Sequence, residues 1–536
     1  MDFLRNGVLL SLSSLVLSLL LALVIKMLHK LWWIPIQMQR KMAAQGIKGP
    51  AYGFFHGSTT EMLRMKREAT SRPMSLSHDI FPYVQPHFHK WAQTYGRNFL
   101  VWHGPQAFLV VSDLDMVKEV LNDKDHTFSK IFLQDQVKKL VGDGLVTSEG
   151  EQWAKHRKLA NFAFHGGSLK VHLRHYLYAG HGSLASKTNM SMVPAMVDCA
   201  HIMIQRWRDR ECLEIDVYEE FKLCTSDAIS KTAFGSSYVE GKTVFENVVK
   251  LGLTMAKASS QIRLPGVSKL WKPTFEIEAE KLEKGLREAV LKIIKRRQQK
   301  MNSGEMESYG NDFLGLLLTA MHDVDENKKI TFDNVIAECK TFYSAGFETL
   351  SSLLAWTVFL LAIHTDWQQE ARKEVLDTLG DQDPDFNGTT KLKKMGMIIN
   401  ESLRLYPPGV GVPRKVTRQA KLGDLILPAG IMVHIPILKI HHDPQIWGDD
   451  AHLFKPERFS EGVAKATNNN PAKFLPFGLG PRNCVGLNFA TVEAKIVLAM
   501  ILQRFSFTLS PAYVHSPVEL HNSRPQYGVQ VILNAT

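Results

Sequence analysis

Apolar residues recur at helical spacing over long stretches of this chain, near 115–122, 194–208, 275–300, 331–363, 366–379, 391–405 and 488–505. Each stretch predicts a helix with a core-facing stripe. Strand-like runs are shorter and scattered: Phe99–Trp102, Phe108–Ser112, Asp424–Leu427, Met432–Ile437 and Val529–Leu533. The predicted fold class is therefore mainly α with small segregated β-sheets, an α+β arrangement. Polar, glycine-containing stretches at Asn302–Asn311 and Gly462–Asn470 read as surface loops. There is no internal repeat, and beyond about residue 51 no polar linker is long enough to separate domains.

The amino-terminal pattern is different. From Val8 to Ile25, eighteen residues pass without a charge, long enough to span a bilayer as a helix. Lys26, His29, Lys30, Arg40, Lys41 and Lys48 follow it, against Asp2 and Arg5 before it. That asymmetry leaves the bulk of the chain on the cytosolic side, with Trp32 and Trp33 suited to the membrane interface. A cleaved signal peptide is the competing reading, but its charge would lie on the wrong side and no small-residue cleavage site follows. The predicted organisation is an anchor over 1–30, a basic linker marked by proline and glycine over 31–50, and one domain over 51–536.

Lys plus Arg number 64 against 53 Asp plus Glu, an excess that fits an anionic membrane or an acidic protein partner. Neither zinc-finger spacing nor a basic-aromatic signature points to nucleic acid. Five scattered cysteines (Cys199, Cys212, Cys224, Cys339, Cys484) fit a reducing compartment better than a disulfide framework. No strand leads into a Walker loop or a complete GxGxxG, so the chain encodes no nicotinamide- or phosphate-binding domain of its own.

Several residue groups could carry chemistry. Cys484 lies in Phe477-Gly478-Leu479-Gly480-Pro481-Arg482-Asn483-Cys484-Val485-Gly486, a turn-like stretch before an apolar helix. A thiolate there is favoured by the helix N-terminus and could ligate iron; taken alone, the same pattern describes a buried structural thiol. Ala345-Gly346-Phe347-Glu348-Thr349 interrupts an otherwise apolar helix with two small residues, an acid and a hydroxyl. The small residues would let something flat or bulky approach the backbone, and Glu348 with Thr349 could relay protons; a glycine tolerated in a packed helix is the plainer reading. Glu401 and Arg404, three apart, share a helix face and could pair with Arg458 of Pro456-Glu457-Arg458-Phe459. Trp153 and Arg157, four apart, could bind a carboxylate together or make an ordinary cation–π contact.

In combination and in this order, the groups resemble the cytochrome P-450 superfamily of haem-thiolate monooxygenases over essentially the whole chain. The signature Phe-x-x-Gly-x-Arg-x-Cys-x-Gly is met at Phe477, Gly480, Arg482, Cys484 and Gly486. The resemblance implies a haem b with Cys484 as axial ligand to iron, Phe477 packed beside it, and Arg482, Trp153, Arg157 and Arg414 on the propionates. Thr349 and Glu348 are implied as the distal proton relay, and Glu401, Arg404 and Arg458 as a structural cluster. It also implies electrons from NADPH through a separate flavoprotein reductase, and a single-pass anchor in the endoplasmic reticulum with the catalytic domain in the cytosol.

The pieces QGIKGP (45–50), TAFG (232–235), LLAIHTDWQQEARKEVL (360–376) and MIINESLRLYPP (397–408) resemble the plant clan numbered seventy-two. Its members oxidise gibberellins, brassinosteroids, cytokinins and terpenoids. Phe347 and Leu350 depart from the histidine and second threonine common in plant relatives, which alters the distal wall without touching the relay. Substrate contacts are expected from about 125–145, 250–265, 340–349, 409–413 and 521–527, and their apolar mix suits a bulky apolar ligand. Two alternatives stay open: a haem-thiolate isomerase or dehydratase needing no reductant, and a membrane haem carrier or sensor without turnover.

Overall fold

The helix Phe332–Ile363 buries 25 of its 32 residues. A capping box, with Thr331 and Asn334 exchanging side-chain and backbone hydrogen bonds, sets its start. A helix apolar on nearly every side is stable only when other elements surround it. In this computed structural model, which describes residues 2–130, 135–164, 192–209, 214–259, 273–520 and 522–535, those elements are mainly Val217–Phe234, Asp135–Val141, Lys393–Leu405, Thr274–Asn302, Phe313–Met321 and Leu487–Arg504. The seven helical stretches expected from periodicity correspond to Leu114–Leu121, Met192–Arg208, Thr274–Asn302, Phe332–Ile363, Thr365–Leu379, Lys393–Leu405 and Leu487–Arg504.

A five-stranded sheet forms the second layer, in the order Asn98–His103, Gln106–Val111, Met432–Ile435, Val412–Val416, Phe128–Ser129. Its one parallel pairing joins Gln106–Val111 to Met432–Ile435, and the others are antiparallel. The sheet has its own apolar cluster, built on Trp102, Leu109, Val433 and Ile435. The strand expected to reach Ile437 stops at Ile435, because Pro436 has no N–H to give a ladder and instead opens the helix Ile437–His442. The last expected strand pairs in a three-stranded sheet, Gln530–Ala535 lying between Glu214–Asp216 and Phe505–Leu509.

The amino-terminal helix, Asp2–Leu28, runs through a π-helical turn at His29–Trp33 into Ile34–Ala43. The apolar stretch Ser11–Ala43 is long enough to cross a membrane, and its most apolar window buries nothing against the protein. The π turn has a local cause: Pro35 cannot donate to the Leu31 carbonyl four residues back. The buried Tyr52 hydroxyl donates to that carbonyl instead. The segment expected as a linker is thus ordered. Met42 and Ile47 are buried in the sheet cluster beside Tyr52, and the Gln45 amide pairs with both backbone groups of Ile426, at 2.6 and 3.1 Å.

Removing the hydroxyl should loosen this elbow. A lost buried hydrogen bond is worth about 1 kcal/mol, or roughly fivefold in a local opening equilibrium. Tyr52→Phe, reconstituted in lipid nanodiscs, is expected to show that acceleration in tryptic cleavage after Arg40 and Lys41, with the cleavage pattern of the remainder unchanged.

Candidate functional site

The cysteine loop is held by its own backbone. The Cys484 N–H donates to the Phe477 carbonyl at 2.7 Å, and the Asn483 N–H to that of Gly480 at 3.1 Å. Gly480 is required on two counts: its φ is +74°, and a Cβ there would lie 2.2 Å from the Leu121 carbonyl oxygen. The Arg157 guanidinium grips Asn483 at both its carbonyl (2.5 Å) and its side-chain oxygen (2.6 Å), and so clamps the residue beside the thiol. The Cys484 residue remains accessible. Burial pushes its thiol up, while the Gly486 N–H and the charges of Arg157 and Lys130 act the other way. It is a cysteine that a positive ligand would readily deprotonate.

Around this loop the protein gathers positive charge. Arg414 is 5% exposed, and its pKa is pushed down to about 10 by burial and by Arg482. The Lys130 ammonium is pushed down to about 7, by loss of solvent and then by Arg414 and Arg482. Arg482 pairs with Glu149, donates to the Ser148 carbonyl at 2.9 Å, and lies 4.4 Å over the Trp153 ring. Lys130, Arg414 and Arg482 lie in electrostatic reach of one another and Arg157 in that of Arg482, four cations against the carboxylates Glu149 and Asp123. Among the described residues no carboxylate lies within ion-pair distance of Arg414. The surplus suits a bound group with two carboxylates, and an accessible thiol beside it suits an iron ligand. These residues fit a haem b. Lys130, Glu149 and Asn483 were not singled out in the sequence. Asn483 lay within the cysteine motif and could have been; Lys130 stands in no motif at all.

The long helix carries the second half of the site. Ala345 and Thr349, one turn apart, are accessible although the residues around them are buried, Gly346 only partly. The Thr349 hydroxyl donates to the Ala345 carbonyl at 2.8 Å, so its lone pairs face the opening as acceptors. Of the two readings open for Gly346, close approach of a group and a glycine in a packed helix, the packing shows helix contact. Its missing Cβ is where Ile229 packs, 2.7 Å away, so the glycine admits the helix Val217–Phe234. Glu348 points elsewhere: it is 2% exposed, in the electrostatic reach of Arg524 and Tyr218. Burial raises its carboxyl to about 7. Consecutive helical residues face about 100° apart, so Thr349 meets the opening and Glu348 lies behind it.

Glu401, Arg404 and Arg458 do come together. The Glu401–Arg404 pair is bidentate, with both bonds at 2.7 Å and neither side chain exposed, and Arg458 approaches Glu401 to 3.5 Å. Arg404 also donates to the carbonyls of His441 (2.9 Å), Ala451 (2.7 Å) and Leu453 (3.2 Å). A pair that the sequence did not suggest joins two helices: His156 Nδ1 lies 2.6 Å from Glu338 Oε1, with both side chains buried. Two expected substrate segments also meet, since Asn522 donates to the Glu348 carbonyl (3.2 Å), and the Ser523 N–H donates to that of Pro408 (2.8 Å), the residue just before a third. Residues 131–134, 260–265 and 521 of the expected contacts lie outside the described residues.

The sequence profile of the cytochrome P450 family matches residues 82–531. The chain belongs to that family. Among its relatives, Cytochrome P450 CYP749A22 of Panax ginseng is 53% identical, covering 97% of this chain and 96% of its own length. Cytochrome P450 734A1 of Arabidopsis thaliana is 40% identical, covering 96% of each. The 11-oxo-beta-amyrin 30-oxidase of Glycyrrhiza uralensis is 41% identical, covering 95% and 94%. This cytochrome P450 is a plant-type haem monooxygenase similar to the seventy-two group expected from the sequence.

Two outcomes test the geometry of this P450. Arg404→Leu leaves the Glu401 carboxylate buried without its partner and should cost about 3–5 kcal/mol in thermal unfolding. Arg404→Lys should not restore it, lacking the planar fork. Glu348 holds its proton to about pH 7 when folded but only to 4.5 when unfolded. Stability contributed by the protonated form is therefore present in full below about 4.5 and lost as pH rises to about 7, on the order of 3 kcal/mol. Glu348→Gln should remove this dependence, so that the difference in unfolding temperature between variant and parent grows across that window and is flat above it.

Proposed function

We propose that this P450 inserts one oxygen atom of O2 into a bulky apolar plant metabolite, a terpenoid, gibberellin, brassinosteroid or similar compound. The observation that supports the reading most is the pairing of an accessible cysteine, in reach of Arg157 and Lys130 and next to the Arg414–Arg482 cations, with the accessible Ala345–Thr349 turn of the central helix. The haem, when bound, supplies oxygen activation, with thiolate donation favouring O–O cleavage. Cys484 would ligate its iron, tempered by the Gly486 N–H. Arg414, Arg482, Arg157 and Trp153 would hold its propionates, with Phe477 beside the loop.

The relay begins with Thr349, whose outward lone pairs hold a water or a protonated group in the opening. Glu348, with its proton held to about pH 7, is the reservoir behind it. Because it faces Tyr218 and Arg524, the carboxyl reaches Thr349 only by rotating or through water. Glu401, Arg404 and Arg458 are structural. The wall formed where residues 522–523 meet Glu348 and Pro408 selects the substrate, and the Glycyrrhiza relative, named for oxidation of 11-oxo-beta-amyrin, supports a large apolar one.

Electrons arrive from NADPH through a separate flavoprotein reductase, steered to the basic cysteine side. The amino-terminal helix is a single-pass anchor in the endoplasmic reticulum with the domain in the cytosol. Several outcomes check the reading. The reduced carbon monoxide complex should show the red-shifted Soret band of a thiolate ligand, and Cys484→Ala should lose it along with all turnover. Product formation should require reductase and NADPH, and should slow as ionic strength rises; product formed without reductant would establish the isomerase alternative. A panel of terpenoids, gibberellins and brassinosteroids, read by spin-state shift, should yield at least one ligand; if none binds, the substrate class is wrong.

A further inference from the structure

We infer that His441 is a positioning residue for the thiolate loop, a neutral imidazole that transmits the fixed place of Arg404 to the segment leading into Cys484. The inference rests on the haem-thiolate reading above. His441 has no exposed surface and lies in the last turn of the short helix Ile437–His442. Its carbonyl accepts the Arg404 guanidinium at 2.9 Å. Its ring nitrogen Nε2 accepts the Leu475 backbone N–H at 2.9 Å. From there the chain of bonds is short: the Gly478 N–H donates to the Leu475 carbonyl at 3.0 Å, and two residues of that turn, Phe477 and Gly478, carry the carbonyl that holds the Cys484 N–H and the +71° turn before it.

The chemistry of the ring suits this role. An N–H aimed at Nε2 requires that nitrogen to be unprotonated, which leaves the proton of the neutral ring on Nδ1. Burial, and then the adjacent Arg404 charge, hold the imidazole far below its usual pKa, so Nε2 stays an acceptor through the physiological range. The ring also stacks on Phe474, with centroids 5.4 Å apart, which fixes its plane. Phe474 packs in turn on Phe459 and Trp447, beside the loop that Arg458 ties down. Leu475 is itself fully buried, so its N–H has no water to turn to.

The test uses the full-length haemoprotein. His441→Phe keeps a ring against Phe474 and removes the acceptor; His441→Gln keeps an acceptor oxygen at similar reach. His441→Phe is expected to raise the fraction of reduced carbon monoxide complex lacking the thiolate band, and to speed haem transfer to apomyoglobin, by about tenfold, as for the loss of one buried hydrogen bond. His441→Gln should stay within about twofold of the parent on both measures. Val375→Ala, a buried substitution on the helix Thr365–Leu379, should lower the unfolding temperature and leave the band intact. The inference is overturned if His441→Phe keeps the band, if His441→Gln loses it equally, or if Val375→Ala loses it too. Should His441→Phe not accumulate, His441→Gln decides: a retained band supports the acceptor role and a lost one refutes it. A parent protein with no thiolate band at all would defeat the haem-thiolate reading itself.

Discussion

Arg404 is one of the largest fully buried side chains in the molecule, and a guanidinium without solvent must find a partner for every donor. It finds Glu401 on its own helix and three carbonyls on the chain that follows the sheet. Those carbonyls belong to the last turn of a short helix, at residue 441, and to an irregular stretch, at 451 and 453. Irregular backbone is held in one shape only when its polar groups are satisfied from outside. The Glu401 carboxylate completes the lock by also accepting the Lys455 N–H at 3.0 Å. Through His441 and Leu475 the segment leading to Cys484 is tied to this foundation, so in the proposed reading a buried ion pair elsewhere in the fold governs where the sulfur stands.

A second constraint is electrostatic. The cations beside the cysteine loop sit in a setting with little solvent, and the depressed pKa values of Lys130 and Arg414 express first that burial and then their mutual repulsion. Such an arrangement persists because surrounding packing over-determines it, and a dianionic ligand would relieve it. The helix Gly150–Phe164 supplies much of the support, with Trp153 under Arg482, Arg157 on Asn483, and His156 bound to Glu338 of the central helix. Both faces of the site are thereby referred to one element, Phe332–Ile363.

The helices were legible in the sequence because each has one apolar stripe or an apolar surround, a signal carried by the residues of the helix alone. Pro436 shows where this stops: alternation continued into Ile437, but a residue without an N–H ended the strand. The site was legible through motifs, since Cys484, Glu401 and Arg404 stand at short fixed spacings. Lys130, Glu338 and His441 were not, because their partners lie far away in the chain and their roles arise only when helix, sheet and loop are assembled. Gly346 left two readings open for the same reason. A glycine in a helix announces a close approach, but what approaches is decided by the neighbouring helix, here through Ile229.

Glu348 and Thr349 illustrate what adjacency in sequence conceals. Side by side in the chain, they read as one acid–hydroxyl unit; on a helix they face different surroundings. Thr349 opens on the accessible turn with its own proton directed into the helix, whereas Glu348 is enclosed with Arg524 and Tyr218. The separation has a physical use. An acid placed directly in the opening would be solvated and ionised at neutral pH, while one held behind it keeps a proton near pH 7. In the proposed relay, proton delivery would then depend on a conformational or water-mediated step rather than on permanent contact. The segment 522–524, which touches Glu348 through Asn522 and faces it through Arg524, is in position to couple that step to whatever occupies the wall beside Pro408.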